Sequence, residues 1–409
     1  MLYPRNLFKK VWRYRDIPEA VVVTGARRVG KTCLMRLVME RLRKGSFVYL
    51  DLENYRAREI VNRGVEEIVS FVEAEIKEKK KYLFIDEVHY ADDPSNIIKL
   101  LVDHYFFKIK LFVTGSSSLK IKKKFKESMT GRKIEFILYP LSFKEFLVFK
   151  GEDKLASLIP DNPFSEERDK TRFYEDKYKR LSLEFIVYGG YPRVALAKTP
   201  EEKRLIIDEI INSYITRDVR DFFGIEKTTK FNRMVKILAT LSGRLLNILS
   251  LSKEAGISRK TADEYLYALE ESYIISKVMP FFRNPKKEIL KTPKIYFIDP
   301  GIRNGLLNNF SISWERDDMG ALLETAVFSG MLKRGLKGRF WRTQNGAEVD
   351  MIIEKDKKII PVEIKKTPQV RRAMLSFMKK YRCPEGYVVY PGNYFKKENV
   401  KFMPLWWFL

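Results

Sequence analysis

The stretch Ala20-Val21-Val22-Val23-Thr24-Gly25-Ala26-Arg27-Arg28-Val29-Gly30-Lys31-Thr32 decides how the rest of the chain is read. Its apolar, β-branched opening predicts a buried strand. Residues 31–43, with Leu34, Leu37, Val38 and Leu42 at helical spacing, predict an amphipathic helix. Between them stands Gly-x-x-x-x-Gly-Lys-Thr. Gly25 and Gly30 let the backbone curl so that the N–H groups of Ala26, Arg27, Arg28, Val29, Lys31, Thr32 and Cys33 face one anion at a helix N-terminus. A polyphosphate is held in water in this way. Lys31 then reaches the β- and γ-phosphates, and the Thr32 hydroxyl binds Mg²⁺.

A second apolar strand follows at 46–52, then a helix at 65–79. Tyr82-Leu83-Phe84-Ile85-Asp86-Glu87 is a strand that delivers an acid at its carboxyl end. Asp86 is positioned to hold the Mg²⁺, and Glu87 to polarise the attacking water as a general base. The strand at 110–115 ends in Thr114-Gly115-Ser116, where Thr114 or Ser116 can sense the γ-phosphate; a serine-rich turn is the alternative.

The chain has 409 residues, beyond the size at which one core stops growing, so two or three domains are expected. Its formal net charge of +25 favours a polyanionic partner, nucleic acid before an anionic membrane surface. Apolar runs long enough to span a membrane are absent, as is a signal-peptide core, which points to the cytoplasm. Cys33 and Cys383 lack metal-knuckle spacing and are expected to pack. Scarce glutamine beside abundant lysine and glutamate is a heat-adapted composition.

The phosphate loop, Phe-Ile-Asp-Glu, Thr-Gly-Ser-Ser, Gly131-Arg132 and the block from Tyr139 to Phe146 together resemble the prokaryotic AAA-like ATPases, within a group whose C-terminal half is a domain of unknown function. The resemblance implies ATP and Mg²⁺. It makes Arg132 a candidate arginine finger, supplied in cis or by a neighbouring subunit of a homo-oligomer, against the plainer reading of a solvated arginine. Gly189-Gly190-Tyr191-Pro192 and Tyr296-Phe297-Ile298-Asp299-Pro300-Gly301 match further blocks of the group without suggesting a chemical role. The polar, proline-containing segment 151–180 reads as a surface insertion or lid. Residues 214–219 resemble the group's linker helix.

Residues 230–283 have helix-turn-helix character. Helices at 231–241, 249–255 and 259–271 flank a turn at Gly256-Ile257-Ser258, and a wing strand follows. In a winged helix the third helix enters the major groove. Ser258, Arg259, Lys260 and Tyr265 are then placed to meet DNA, with Lys286, Lys287, Lys291 and Lys294 either adding phosphate contacts or standing as solvated charge. A protein-docking module is the alternative.

In the last third, Glu324 on a helix, Asp350 opening one strand and Glu363-Ile364-Lys365 on the next resemble the PD-(D/E)xK nuclease superfamily. Asp350 and Glu363 can hold a second Mg²⁺ or Mn²⁺. Lys365 lies where it can position water, and Glu324 assists; a fold retained without cleavage is the alternative. The expected class is α/β: an AAA-like P-loop ATPase on a parallel sheet (1–199), a helical linker and winged helix (200–300), and a small α/β restriction-endonuclease-like domain (301–409).

Overall fold

Every residue of β1 (Ala20–Gly25) is buried, which places this strand inside a sheet with both faces covered. Around it β2 (Phe47–Asp51), β3 (Lys81–Asp86), β4 (Ile109–Ser116) and β5 (Lys133–Ile137) complete a five-stranded sheet in the order β2-β3-β4-β1-β5. All of its pairings are parallel, so the phosphate loop after β1 and Asp86 after β3 emerge on one edge. Ile68, Val72, Ile98 and Leu101 of the helices Val65–Glu75 and Pro94–Tyr105 share a core with Val22, Leu83, Ile85, Leu111 and Val113. The helix Lys31–Met39 packs on β1 and β4, and the rings of Phe84 and Phe112 stack at 4.7 Å.

The computed structural model describes residues 2–116, 130–165, 169–213, 224, 228–282 and 292–409. The linker helix expected at 214–219 and the lysines at 286, 287 and 291 lie outside them. The chain forms two units, residues 1–139 with 271–273 and residues 140–270 with 274–409. The helix Tyr55–Asn62 has no counterpart in the sequence reading; the Asn54 side chain starts it by accepting from the N–H of Arg56 at 2.9 Å. The helix from Val65 stops at Glu75 rather than at 79, because Ile76 turns extended and is buried.

In the second unit, Glu271 apart, helices Thr228–Thr240, Ile248–Ala255 and Arg259–Glu271 precede an antiparallel ribbon of β6 (Ile275–Val278) and β7 (Lys294–Phe297). Gly256, with φ +68°, ends the second of these helices, and the Ser258 hydroxyl caps the third through the N–H of Thr261 at 3.1 Å. Next come the helix Met319–Lys333 and a mixed sheet of β8 (Gly338–Arg342), β9 (Glu348–Lys355), β10 (Lys358–Ile364), β11 (Gly386–Tyr390), β12 (Phe395–Lys397) and β13 (Val400–Pro404). Its order is β12-β13-β11-β10-β9-β8.

The described part of 151–180, expected as a surface insertion or lid, is largely exposed or half-buried but is anchored in the core at several points. Leu155, Phe164, Thr171 and Tyr178 are buried, and Tyr178 stacks on Trp406 at 5.2 Å. The Thr171 hydroxyl accepts from both indoles of the C-terminal segment, Trp406 at 2.8 Å and Trp407 at 3.3 Å. Burial of Trp406 and Trp407 therefore draws Thr171 and Tyr178 of this polar-looking stretch into the core.

The two glycine-rich blocks without an apparent role turn out to hold each other. The Asp299 carboxylate, buried, accepts from the N–H groups of Gly190 at 2.8 Å, Gly301 at 3.0 Å and Ile302 at 3.2 Å. Burial pushes its pKa up, against the opposing pull of Lys333 and these N–H groups.

Candidate functional site

Sheet order explains the geometry at the carboxyl edge. β4 lies between β1 and β3, so Thr114 falls between the phosphate loop and Asp86. The loop takes its shape from two left-handed positions, Gly30 at φ +97°, which glycine adopts freely, and Arg28 at φ +65°, which its surroundings must hold. A Cβ on Gly25 would lie 2.2 Å from the Leu138 carbonyl oxygen, so only glycine fits there. Gly30 begins the helix Lys31–Met39 and accepts from the Leu34 N–H at 2.9 Å.

Lys31, Thr32, Asp86, Glu87 and Thr114 converge. The Lys31 ammonium is buried and donates to the carbonyls of Gly25 (3.3 Å) and Ala26 (3.1 Å), 4.0 Å from a Glu87 oxygen. Burial lowers its pKa, and the charges of Glu87 and Asp86 oppose the fall. The Thr32 hydroxyl donates to Asp86 Oδ2 at 2.7 Å. The Thr114 hydroxyl donates to Asp86 Oδ1 and accepts from the Glu87 N–H at 3.1 Å. Glu87 itself stands at φ +52°, a conformation that bulky residues keep only where their surroundings demand it. Its Oε2 is 3.2 Å from His89 Nδ1.

Two residues of this site escaped the sequence reading. The Tyr49 hydroxyl, from β2, donates to Asp86 Oδ2 at 2.7 Å; burial and the Asp86 hydrogen bond raise the phenol's pKa. Buried Arg5 donates to the Val29 carbonyl at 2.6 Å and to the Tyr139 carbonyl at 2.8 Å, pinning the loop from behind. An isolated tyrosine on an alternating strand and an arginine near the start of the chain carry no local signal. Tyr49→Phe is expected to keep the fold while weakening Mg²⁺-dependent nucleotide binding about 10-fold, read from Mg²⁺ titrations with a fluorescent nucleotide.

Arg132 is not at this edge. The Ala20 N–H donates to the Arg132 carbonyl at 2.9 Å, at the start of β1, and five residues of strand separate that point from Gly25, about 16 Å. Its guanidinium meets Asp103 at 2.6 Å. The cis arginine-finger expectation therefore fails, because parallel pairing puts the start of β5 at the opposite edge. Cys33, expected to pack, is exposed on the first helical turn.

A second cluster forms where β7, β9, β10 and the helix Met319–Lys333 meet. Asp350 Oδ2 accepts from Lys365 Nζ at 2.6 Å and from the Ile364 N–H at 2.8 Å, while Lys365 also lies 3.2 Å from Glu363 Oε2. Glu324 Oε2 accepts from the Tyr296 hydroxyl at 3.2 Å and from Lys294 Nζ at 3.4 Å, and Lys294 reaches Glu348 at 2.5 Å. All four residues named from the sequence, Glu324, Asp350, Glu363 and Lys365, are thus drawn together, and Lys294, Tyr296 and Glu348 join them. Burial and the nearby Asp350 charge push Glu324 up to about 7, and burial likewise raises Glu363.

Lys294, expected on the surface with phosphates, is 2% exposed; its ammonium pairs with the half-buried carboxylates of Glu324 and Glu348 instead. Among the described residues no three His, Cys, Asp or Glu side chains are grouped to hold a metal ion. Tyr265, expected to meet DNA, is buried with its ring edge-to-face against Phe231 at 5.2 Å. Ser258, Arg259 and Lys260 are exposed.

Residues 18–147 match the family model described as an AAA domain. With the loop, the parallel sheet and the acid pair after β3, that match defines a P-loop ATPase domain of the AAA-like class, a class that binds nucleotide and ordinarily Mg²⁺. Residues 179–313 and 319–408 match two domains of unknown function, DUF8612 and DUF4143. An uncharacterized protein of Methanocaldococcus jannaschii is 28% identical over 357 residues, spanning 85% of this chain and 75% of its own length. An uncharacterized protein of Haemophilus influenzae is 24% identical over 376 residues, 89% of this chain and 86% of its own. Among solved structures, PCH-2 of C. elegans overlaps 52% of this chain and 64% of its own length at 14% identity and a TM-score of 0.30, too slight to argue from. No helix of the described residues is long and apolar enough to cross a membrane.

Proposed function

We propose that the chain is a Mg²⁺-dependent ATPase that couples ATP binding and hydrolysis to action on DNA through its C-terminal half. The observation that carries the first part is the convergence of Lys31, Thr32, Thr114, Asp86 and Glu87 on one edge of the sheet. The donors suit the cation: the Thr32 hydroxyl and the Asp86 carboxylate offer hard oxygens side by side. When bound, Mg²⁺ would offset charge on the phosphates. Lys31 and the N–H groups of the loop hold the β- and γ-phosphates, Thr114 fixes the acid pair, and Glu87 takes the proton of the attacking water. Any Arg132 contact with nucleotide comes from a neighbouring protomer of a homo-oligomer.

The second part rests on the net charge of +25, on the helix-turn-helix order of Thr228–Glu271 and on the acidic cluster. We read 200–300 as linker and winged helix and 301–409 as a nuclease-like domain. There, Asp350 and Glu363 would ligate Mg²⁺ or Mn²⁺, and Lys365 would position water. Glu363 supports this: fully buried, it has Lys365 Nζ 3.2 Å from Oε2, while its Oε1 makes no hydrogen bond.

A specific observation favours a second reading, a nucleotide-controlled switch with an inactive nuclease-like domain. The exposed face of the helix Arg259–Glu271 sets Asp263 and Glu264 against Arg259 and Lys260, which weakens its hold on DNA, and ammonium groups already bridge the carboxylates of the acidic cluster. Turnover with and without DNA separates the two. DNA-stimulated ATPase and metal-dependent nicking lost in Asp350→Ala are expected for the enzyme. A partner interaction abolished by Lys31→Ala, without any cleavage, would establish the switch.

A further inference from the structure

At the edge of the first sheet opposite the phosphate loop, the segments entering β1, β3 and β4 enclose an open cleft of about 490 Å³. Its wall carries five cationic side chains and a single carboxylate, Asp16. Two of its cations, Lys79 and Lys80, come from the lysine run before β3, and Lys108 from the turn before β4. Lys79 has no acidic partner among the described residues, whereas Asp16 lies 3.1 Å from Arg15 and also pairs with Lys80, and Lys108 meets Glu73 at 3.1 Å. Lys110 forms the floor, donating to the Ile17 carbonyl at 2.9 Å.

Two aromatic rings stand in this basic setting. Phe106 is 48% exposed and Phe107 68%, although each could have buried an area worth about 2 kcal/mol in a core. They meet edge to face at 5.9 Å, so the contact takes up one face of one ring only. Cations flanking open aromatic faces are the two components by which unpaired nucleic acid is held: phosphates pair with the cations, and bases stack on the rings. A duplex hides its base faces and could use only the cations. We propose that this cleft binds a single-stranded nucleic acid, with bases on Phe106 and Phe107 and phosphates at Lys79, Lys80 and Lys108. The proposal stands apart from any cleavage at the acidic cluster.

Fluorescence anisotropy of the full chain with a labelled oligothymidine of about 15 nucleotides tests it, with oligouridine and a DNA duplex of equal length as further arms. The joint change Phe106→Ala, Phe107→Ala is expected to weaken single-strand binding at least about 5-fold and leave the duplex unaffected. Lys79→Ala with Lys80→Ala should make the log–log salt dependence shallower by about 1.4. Both variants should retain thermal stability and basal ATP hydrolysis. Preference between oligothymidine and oligouridine identifies the natural strand. Unchanged single-strand affinity in the phenylalanine variant, or an equal loss on duplex, would overturn the proposal. So would sedimentation showing that the rings hold two copies of the chain together while oligonucleotide binding is untouched.

Discussion

Glu87→Gln is expected to bind ATP with Mg²⁺ and to hydrolyse it about 10²- to 10⁴-fold more slowly than the parent chain. The amide keeps the size of the side chain and leaves the backbone bond from the Glu87 N–H to Thr114 in place, so the loop and Asp86 keep their geometry. What is lost is the carboxylate that would take the proton of the attacking water. The change also removes a negative charge that stands 4.0 Å from the Lys31 ammonium and would repel the phosphates, so nucleotide affinity, measured directly with a fluorescent analogue, should not fall. Equal turnover in variant and parent would remove Glu87 from the mechanism and move attention to His89, whose Nδ1 lies 3.2 Å from it.

The largest effect on stability is expected from Gly301→Ala. Its Cβ would sit 2.0 Å from the Tyr188 carbonyl oxygen and 2.8 Å from the Gly189 nitrogen, both backbone atoms that cannot swing aside. Separating them breaks the grip of Asp299 on Gly190, so a loss of about 3 kcal/mol or more is expected. Thermal unfolding should show it. Because all of these residues lie in the second unit, nucleotide affinity measured below the transition should stay near that of the parent chain. A melting temperature within a degree or two of the parent would mean that the close approach is not needed.

The strand, loop and helix from Ala20 onward were legible because a polyphosphate cradle depends on backbone freedom at fixed spacing, and glycine announces that freedom locally. The acids of the C-terminal cluster were legible for a related reason: alternation along β9 and β10 fixes which residues share a face. What stayed hidden depends on partners far off in the chain. Lys294 belongs by composition to a run of surface lysines, and only the approach of Glu324 and Glu348 buries it. Tyr265 has the spacing of an exposed recognition residue, yet Phe231 claims its ring. The cis placement of Arg132 fails because a motif gives the order of residues along the chain but not which edge of a sheet they reach.

The bond from Thr171 to the two indoles bears on how the molecule can be dissected. A fragment beginning at 200 or 301 would leave Trp406 and Trp407 with bare indole N–H groups and a large greasy surface once filled by Tyr178 and its neighbours. Such a truncation would be prone to clump, and silence in a cleavage assay performed on it would speak of a ruined scaffold rather than of absent chemistry.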